Sequence, residues 1–419
     1  MVSVRGPRGT ADVLPYDSLV WQYVESALRE ICRRYNFGEV RTPIFEHTEL
    51  FNRIGESTDV VRKEMYTFED RGGRSLTLRP EGTAGAVRAL IQHGLLAGPL
   101  PVKWYYFGPM FRYERPQGGR MRQFSQFGVE VFGAPGAMAD AEVICLAMDY
   151  LGKVGLKQLQ LEVNSLGCPA CRPAFREALV GYLEPRKQLL CDDCRERLVR
   201  NPLRVLDCKV DGCKQVAKDA PSPIDYLCDS CRSHFDEVQQ LLGAAGIQFS
   251  VNPHIVRGLD YYTRTVFEIT HGKLGAQATV CGGGRYDNLV EELGGPPTPA
   301  VGFGLGLDRL ILCLKEENAL GGLDKAIDAF VVYQPDLWLQ AFALARKLRQ
   351  NGLVVEIDLI ARSLKAQMKH GGRLNARFAV ILGEMEAQTN SVTLKHMRSG
   401  EQRQVPADEV VELIREAWK

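Results

Sequence analysis

At 419 residues the chain is too long for one ordinary core and has material for two or three domains. Its 45% hydrophobic and 25% charged content is that of a soluble globular protein, and 52 Lys and Arg against 51 Asp and Glu mean that a nucleic-acid partner would be held by local basic patches, not by net charge. Residues 1–10 lack the apolar segment of a signal peptide and no apolar run approaches the ~20 residues that span a bilayer, so a cytoplasmic address without membrane association is expected.

The first predicted element is a helix from Tyr16 to Asn36, where Leu19, Val20, Tyr23, Val24, Ala27, Leu28 and Ile31 recur at helical spacing; Gly38 stops it. A strand over Glu39–Phe45 follows, with Pro43 suiting an edge or an interface. Ser75–Arg79 reads as a short strand, and Pro80-Glu81-Gly82-Thr83 opens a helix through about Gln92. Residues 104–114 and 124–132, rich in aromatic and β-branched side chains, predict an antiparallel hairpin whose tip, RPQGGRMRQ (115–123), bears three arginines.

Alternation within that hairpin is informative. Gln126, Gly128 and Glu130 share one face of the second strand, opposite Phe127, Val129 and Val131; on the first, Arg112 and Glu114 point away from Phe107, Phe111 and Tyr113. A solvated face would carry Lys, Thr and Ser and would have no need of Gly128, which weakens a strand. Close approach of a ligand would account for it.

Twelve cysteines are present, and eight of them fall between Cys168 and Cys231, mostly as Cys-x-x-Cys pairs, which in a reducing compartment favours metal over disulfides. Cys168, Cys171, Cys191 and Cys194 form two pairs separated by nineteen residues, within the range of paired zinc knuckles. Cys208, Cys213, Cys228 and Cys231 would supply a second four-thiolate site, although spacing leaves open which pairs combine. Such zinc would be structural, not catalytic. The plain alternative is a helical insertion that tolerates small buried thiols.

Beyond the cysteines, strand-like segments return at 248–256 and 260–270, Gly282–Asp287 reads as a loop, and Val301–Glu317 as a glycine-rich strand leading into a helix. After a linker at 318–325, predicted strands (326–333, 353–358, 378–383) alternate with helices (336–350, 363–374, 407–418), the pattern of a compact α/β domain. Arg362, Lys365, Lys369, Arg373 and Arg377 recur there as a basic stripe that could track phosphates. Gly371-Gly372 sits oddly inside a helix.

The chain lacks a Gly-x-x-x-x-Gly-Lys phosphate loop, and Gly-x-Gly-x-x-Gly does not occur in a βαβ context. Nucleotide binding would instead use arginines on an antiparallel sheet, with Arg112, Arg120, Arg257 and Arg309 as candidates. Adenylation of an amino acid suits such a set. The substrate carboxylate is itself the nucleophile, so the protein supplies alignment and positive charge, not a Ser–His or Cys–His pair.

The segment Phe111-Arg112-Tyr113-Glu114 through Phe124 to Glu130 resembles motif 2 of the class II aminoacyl-tRNA synthetases, and Gly302-Phe303-Gly304-Leu305-Gly306-Leu307-Asp308-Arg309 resembles motif 3. The helix and strand of Tyr16–Phe45, with Pro43, resemble motif 1, which builds a dimer interface. Arg257-Gly258-Leu259-Asp260-Tyr261-Tyr262-Thr263 and Gly282–Asp287 are similar to segments specific to the histidyl-tRNA synthetase family. The resemblance covers nearly the whole chain.

It implies an α+β fold: an antiparallel-sheet catalytic domain with a helical insertion, followed by a C-terminal α/β anticodon-binding domain. The divisions expected are 1–164 and 236–318 for the catalytic domain, 165–235 for the cysteine-rich insertion and 326–419 for the tail. The implied activity is ATP-dependent ligation of L-histidine to tRNA(His) through a histidyl-adenylate, releasing AMP and diphosphate, by a homodimer using ATP with Mg2+. Carried over by position, Glu81, Thr83 and Gln126 would hold the histidine amino group, Glu130 and Tyr262 the imidazole, with Tyr261 and Tyr286 lining the pocket. Arg112 would meet the α-phosphate, Arg120 the γ-phosphate, Glu114 the adenine amino group, and Phe124 and Arg309 the two faces of the adenine. Arg257 would bridge the histidine carboxylate and α-phosphate, with Arg257 and Arg112 the catalytic pair, and Gln117 would meet the acceptor end of the tRNA. A catalytically dead paralogue, the regulatory subunit of ATP phosphoribosyltransferase, shares the fold but typically lacks the tail and several of these residues. A zinc-dependent nucleic-acid-binding protein would leave the arginine–glutamate sheet unexplained.

Overall fold

The computed structural model describes residues 4–55, 60–115, 120–257, 261–272, 279–321 and 327–416. The chain divides into two compact units, Met1–Gly321 and Gly322–Lys419. Among the described residues no helix is long and apolar enough to cross a membrane.

Strands in the first unit are β1 (Gly38–Glu39), β2 (Phe45–His47), β3 (Tyr66–Glu69), β4 (Ser75–Leu78), β5 (Val102–Phe111), β6 (Gln123–Phe132), β7 (Leu159–Ser165), β8 (Ser250–Val251), β9 (Thr263–His271), β10 (Thr279–Arg285) and β11 (Ala300–Gly306). Eight make one sheet in the order β1-β5-β6-β11-β10-β9-β7-β8, antiparallel except at its two ends, where β1–β5 and β7–β8 run parallel. One face is packed. Phe127, Val129 and Val131 of β6, Phe303 and Leu305 of β11 and Phe267 and Ile269 of β9 form a core with helices Pro15–Arg34, Ala137–Lys153 and Leu307–Glu316. The first helix turns Val24, Ala27, Leu28, Ile31 and Cys32 inward, the spacing that an α-helix needs to present one stripe.

Several expectations change. The single strand expected at Glu39–Phe45 is two short strands in different sheets, because the proline at 43 cannot donate to a ladder and the chain crosses from one sheet to the other there. The strand expected over 104–114 ends at Phe111, and only Ser250–Val251 of 248–256 pairs. Gly282–Arg285, expected to be a loop, belongs to β10, hydrogen-bonded on both sides to β9 and β11. Glycines usually weaken a strand, but here the flanking ladders hold it.

The second unit contains β12 (Ile327–Tyr333), β13 (Val355–Ile357), β14 (Ala376–Leu382), β15 (Ser391–His396) and β16 (Gln402–Pro406), in the order β13-β12-β14-β15-β16. Its central strands are parallel and β15 and β16 add an antiparallel edge that periodicity did not predict. Helix Leu364–Arg373 packs on this sheet, and Gly371 explains the contact: a Cβ there would lie 3.0 Å from the Phe330 ring. Gly372 is exposed, and a Cβ there would meet only Met397, at 3.7 Å. The basic stripe shortens to the exposed Lys365, Lys369 and Arg373, because Arg362 precedes the helix and is tied to Asp358 while Arg377 lies in β14.

Candidate active site

The second face of the eight-stranded sheet is packed in part, where Tyr106, Met110, Phe132 and Val266 meet helix Thr83–Gln92, and is floored by glycine beside that core. Strand register aligns Tyr106, Gly128, Gly304, Gly282 and Glu268 in one row across β5, β6, β11, β10 and β9. Each glycine lies under a side chain from elsewhere in the site. A Cβ on Gly128 would fall 2.4 Å from the Tyr106 ring, one on Gly304 2.6 Å from Gln126 Nε2, and one on Gly282 2.4 Å from Arg257 Nη1. In the neighbouring row Gly302 opposes Glu130, whose Oε2 would be 1.9 Å from an added Cβ. The sequence argument that Gly128 admits a ligand is therefore corrected. It admits Tyr106, a residue that sequence reasoning passed over, because the expected tip at 115–123 would set Met110 opposite the glycine and the observed register sets Tyr106 there.

Glu130 is fully buried and ringed by hydroxyl donors: Thr83 Oγ1 at 2.8 Å, Tyr106 Oη at 3.0 Å, and Tyr286 Oη. Burial pushes its pKa up, and the three donors offset that only in part, leaving it at about 8. Glu81, also buried, accepts from the backbone N–H groups of Thr83 (2.6 Å) and Ala84 (2.8 Å) at the start of helix Thr83–Gln92, and burial raises its pKa as well. Tyr261, Tyr262 and Tyr286 pack beside them, Tyr286 edge-on to the other two, with ring centroids 4.7 to 6.5 Å apart. The Oε1 of Gln126 is buried without a hydrogen-bond partner among the described residues. This corner, the expected histidine pocket, thus brings together two buried carboxyls, three aromatic rings and an amide oxygen in need of a donor.

Next to it is a cleft of about 230 Å³ lined by Arg112, Glu114, Arg120, Phe124, Gln126, Arg257 and Arg309. Arg112 donates from Nε to Pro80 O at 2.9 Å, and its guanidinium lies 5.3 Å from the Phe124 ring centre. Arg120 reaches Glu114 at 3.3 Å. Arg309 donates to Thr279 O at 2.8 Å; burial and the nearby charges of Arg120 and Arg112 lower its pKa, as expected where cations converge around space for an anion. Arg257 pairs with Glu268, which also accepts from Thr279 Oγ1 at 2.9 Å. Against the desolvation of its site, Glu268 holds the Arg257 guanidinium above the ordinary arginine pKa.

The residues singled out from the sequence for histidine and ATP lie in this corner or in the cleft. Gln117 is outside the described residues, as are residues 258–260 of the Arg257–Thr263 segment. The eight cysteines stand apart, in two groups of four: Cys168, Cys171, Cys228 and Cys231, and Cys191, Cys194, Cys208 and Cys213. Pairing Cys168 and Cys171 with Cys191 and Cys194 is thereby corrected. The chain folds back on itself, so the outermost pairs meet and enclose the inner ones. Arg285 was also missed as a single residue. Fully buried, it binds Asp140, Asp287 and the carbonyls of Ala134 and Gly136, fixing the strand end from which Tyr286 reaches Glu130.

Comparison with known proteins agrees with this geometry. The histidyl-tRNA synthetase family profile matches residues 9–310, and an anticodon-binding-domain profile matches residues 329–417. The histidine–tRNA ligase of Caldanaerobacter subterraneus subsp. tengcongensis is 55% identical over 413 residues, 98% of this chain and 99% of the relative. That of Desulfitobacterium hafniense is 49% identical over 420 residues, 100% of this chain and 98% of the relative. The apo S. aureus histidyl-tRNA synthetase structure superposes with a TM-score of 0.84 at 40% identity, covering 98% of this chain and 100% of that one. At 22% identity and a TM-score of 0.66, a Bacillus halodurans chain described as an ATP phosphoribosyltransferase regulatory subunit/histidyl-tRNA synthetase shares the fold, over 91% of this chain and 99% of that one. With near full-length relatives well above 30% identity and a profile spanning most of the first unit, the chain belongs to the histidyl-tRNA synthetase family, class II enzymes that ligate histidine to tRNA.

Proposed function

We propose that the pocket and the cleft perform the two halves of histidine activation with the following division of labour. Histidine enters the pocket with its amino group toward Glu81, Thr83 and Gln126, and its imidazole between Glu130 and Tyr262, walled by Tyr261 and Tyr286. ATP lies in the cleft, its adenine between Phe124 and Arg309 with the amino group toward Glu114, its α-phosphate against Arg112 and its γ-phosphate against Arg120. Mg2+ arrives with ATP and offsets phosphate charge. A histidine carboxylate oxygen attacks the α-phosphorus, the bond to the β-phosphate oxygen breaks, and diphosphate leaves with that electron pair. Arg257 spans both reactants and stabilises the charge that builds between them. A terminal ribose hydroxyl of tRNA(His) then displaces AMP.

Glu130 is the observation that carries this reading. A buried carboxyl surrounded by three hydroxyl donors makes a site that would leave polar groups unpaired if an apolar side chain entered, the kind of arrangement that rejects isosteres strongly. The division into catalytic halves 1–164 and 236–318, an insertion 165–235 and a tRNA-binding tail 326–419 belongs to the same reading, as do a homodimer through residues 16–45, Gln117 at the tRNA acceptor end, a cytoplasmic location and structural zinc in the insertion. The test is ATP–pyrophosphate exchange with the full chain. Exchange should require histidine and fail with phenylalanine or glutamine. A folded chain that exchanges with none of the three would overturn the reading.

A further inference from the structure

The two groups of cysteines have the geometry of metal sites and an unexpected connection to the site above. Within each group all four sulfurs lie within 4.8 Å of one another. Separations of 3.7 Å (Cys168–Cys171), 4.0 Å (Cys168–Cys228) and 3.9 Å (Cys191–Cys208) bracket the ~3.8 Å edge of a tetrahedron with Zn–S bonds of ~2.3 Å. They are far from the ~2.05 Å of a disulfide, and all eight cysteines are free. Each group also has a backbone amide aimed at a sulfur, Cys228 N to Cys171 Sγ and Cys191 N to Cys213 Sγ, both at 3.2 Å, the kind of outer donor that tempers a metal-bound thiolate. Gly167, at φ +68°, makes the turn into the first group, where a Cβ would strike Cys171 at 2.6 Å. The apolar core around that group is only Cys171, Leu227 and Cys231, with Cys168 and Ile224 at its edge, too little to order it by burial alone.

Each group is one short step along the chain from an arginine that grips the segment proposed to bind histidine. Arg172 follows Cys171 directly at the start of helix Arg172–Leu183, and its guanidinium donates to Tyr262 O. Arg204, four residues before Cys208 in the turn Pro202–Val205, donates to Arg257 O at 3.0 Å. The two contacts fall on Arg257, directly before 258–260, and on Tyr262, two residues after them.

We propose that each cysteine group binds one zinc ion as a four-thiolate site, and that the two ions fix Arg172 and Arg204 as positioning residues for Tyr262 and Arg257. Four thiols lose their protons to solvent as each ion binds, so no oxidant or reductant is involved. The positioning half rests on the functional reading above; the metal half does not. The nested pairing is specific: Cys213→Ser should empty one site and Cys228→Ser the other.

The experiment measures zinc in the full chain purified without chelator and dialysed. Two zinc ions per chain are expected, and about one in each variant. Should a variant be insoluble, Co(II) loaded into the wild-type chain decides, through the intense absorption of thiolate-bound tetrahedral cobalt. A folded, dialysed chain that retains no zinc and gives no such cobalt spectrum overturns the metal sites. For positioning, chelator treatment should raise the histidine KM by roughly 10-fold through Tyr262 and lower kcat through Arg257, while Arg204→Ala should lower kcat by roughly 10-fold with a smaller change in the histidine KM; zinc should reverse the first and Arg204→Lys should recover part of the second. Stripped enzyme with an unchanged histidine KM overturns the positioning role. Failure of the ligase reading itself looks different, since the zinc-loaded wild-type chain would then show no histidine-dependent exchange at all.

Discussion

The two large sheets of this chain meet opposite demands. In the tail, β12 buries all seven of its residues, Ile327–Tyr333, between packed layers on both faces. In the catalytic unit, one face of the sheet is just as tightly packed, but the other lays Tyr106, Gln126, Glu130 and Arg257 across glycines. A sheet covered on both sides needs only apolar residues of about the right size, and many sequences satisfy it. That second face must hold polar groups in fixed positions beside a smaller core, and here the absence of side chains at Gly128, Gly282, Gly302 and Gly304 makes room for them. Stability is spread across the tail sheet; function in the catalytic sheet depends on single atoms.

Separating the two regions should give the largest effect. A chain ending at Gly321 lies on the boundary between the units and keeps every residue proposed for adenylation. It should retain pyrophosphate exchange while tRNA charging falls by ~10²–10⁴-fold through loss of the second binding module. Undiminished charging would remove the tail from tRNA recognition. Within the catalytic sheet, Arg257→Ala should lower kcat for adenylation by ~10²–10³-fold while the histidine KM moves much less. Near-normal kcat with a greatly raised KM would instead make Arg257 a plain substrate-binding group.

The third effect is a slope. Glu130, at about 8 in the folded chain against an ordinary 4.5, keeps a proton that the unfolded chain gives up between those values. Its contribution to stability is therefore full below pH 4.5, declines as pH rises through the window, and is flat above about 8. Glu130→Gln removes the titration, so denaturant curves from pH 5 to 8 should show the wild-type chain losing ground to the variant. A constant difference would mean that Glu130 is already ionised in the free protein. The smallest effect belongs to the tail. Gly372→Ala should stabilise it by about 0.5–1 kcal/mol, because the position is exposed and helical, whereas Gly371→Ala should destabilise it against Phe330. Equal responses in thermal melts would leave the close approach at Gly371 without consequence.

The contrast also explains what could be read from the sequence. The tail's central strands and helices follow from uninterrupted apolar runs and helical spacing, yet β15 and β16 were missed because SVTLKH and QRQVP mix polar and apolar residues. In the catalytic sheet the arginines and carboxylates stood out as residue types on a face of the wrong composition for solvent. Their supports did not. Tyr106, Glu268 and Arg285 owe their roles to strand register and to partners up to 151 residues away, as with Arg285 and Ala134, and no local pattern encodes that. Gly282-Gly283-Gly284 was misread for the same reason: local rules take three glycines for a loop, and only the ladders of β9 and β11 make them a strand. The cysteine spacing announced metal chemistry, but the order of pairing depends on how the insertion folds back.

The buried Arg285–Asp140 pair constrains how this chain can change over time. Burial pushes the Asp140 carboxyl up, but His234 and Arg285 hold it below its usual range, and Arg285 has no exposed surface through which water could replace a lost partner. Replacing either residue alone leaves a buried charge with one partner fewer, Asp140 with only His234 or Arg285 with only Asp287, at a cost of up to about 3–5 kcal/mol, while an apolar pair of matched volume could be nearly neutral. The two positions are thus separated from any alternative by a valley that single substitutions cannot cross. Tyr286, next in the chain to Arg285, shares that immobility, and with it the carboxyl of Glu130 that its hydroxyl holds. Substrate preference in this scaffold is in that sense inherited along with a salt bridge that never touches the substrate.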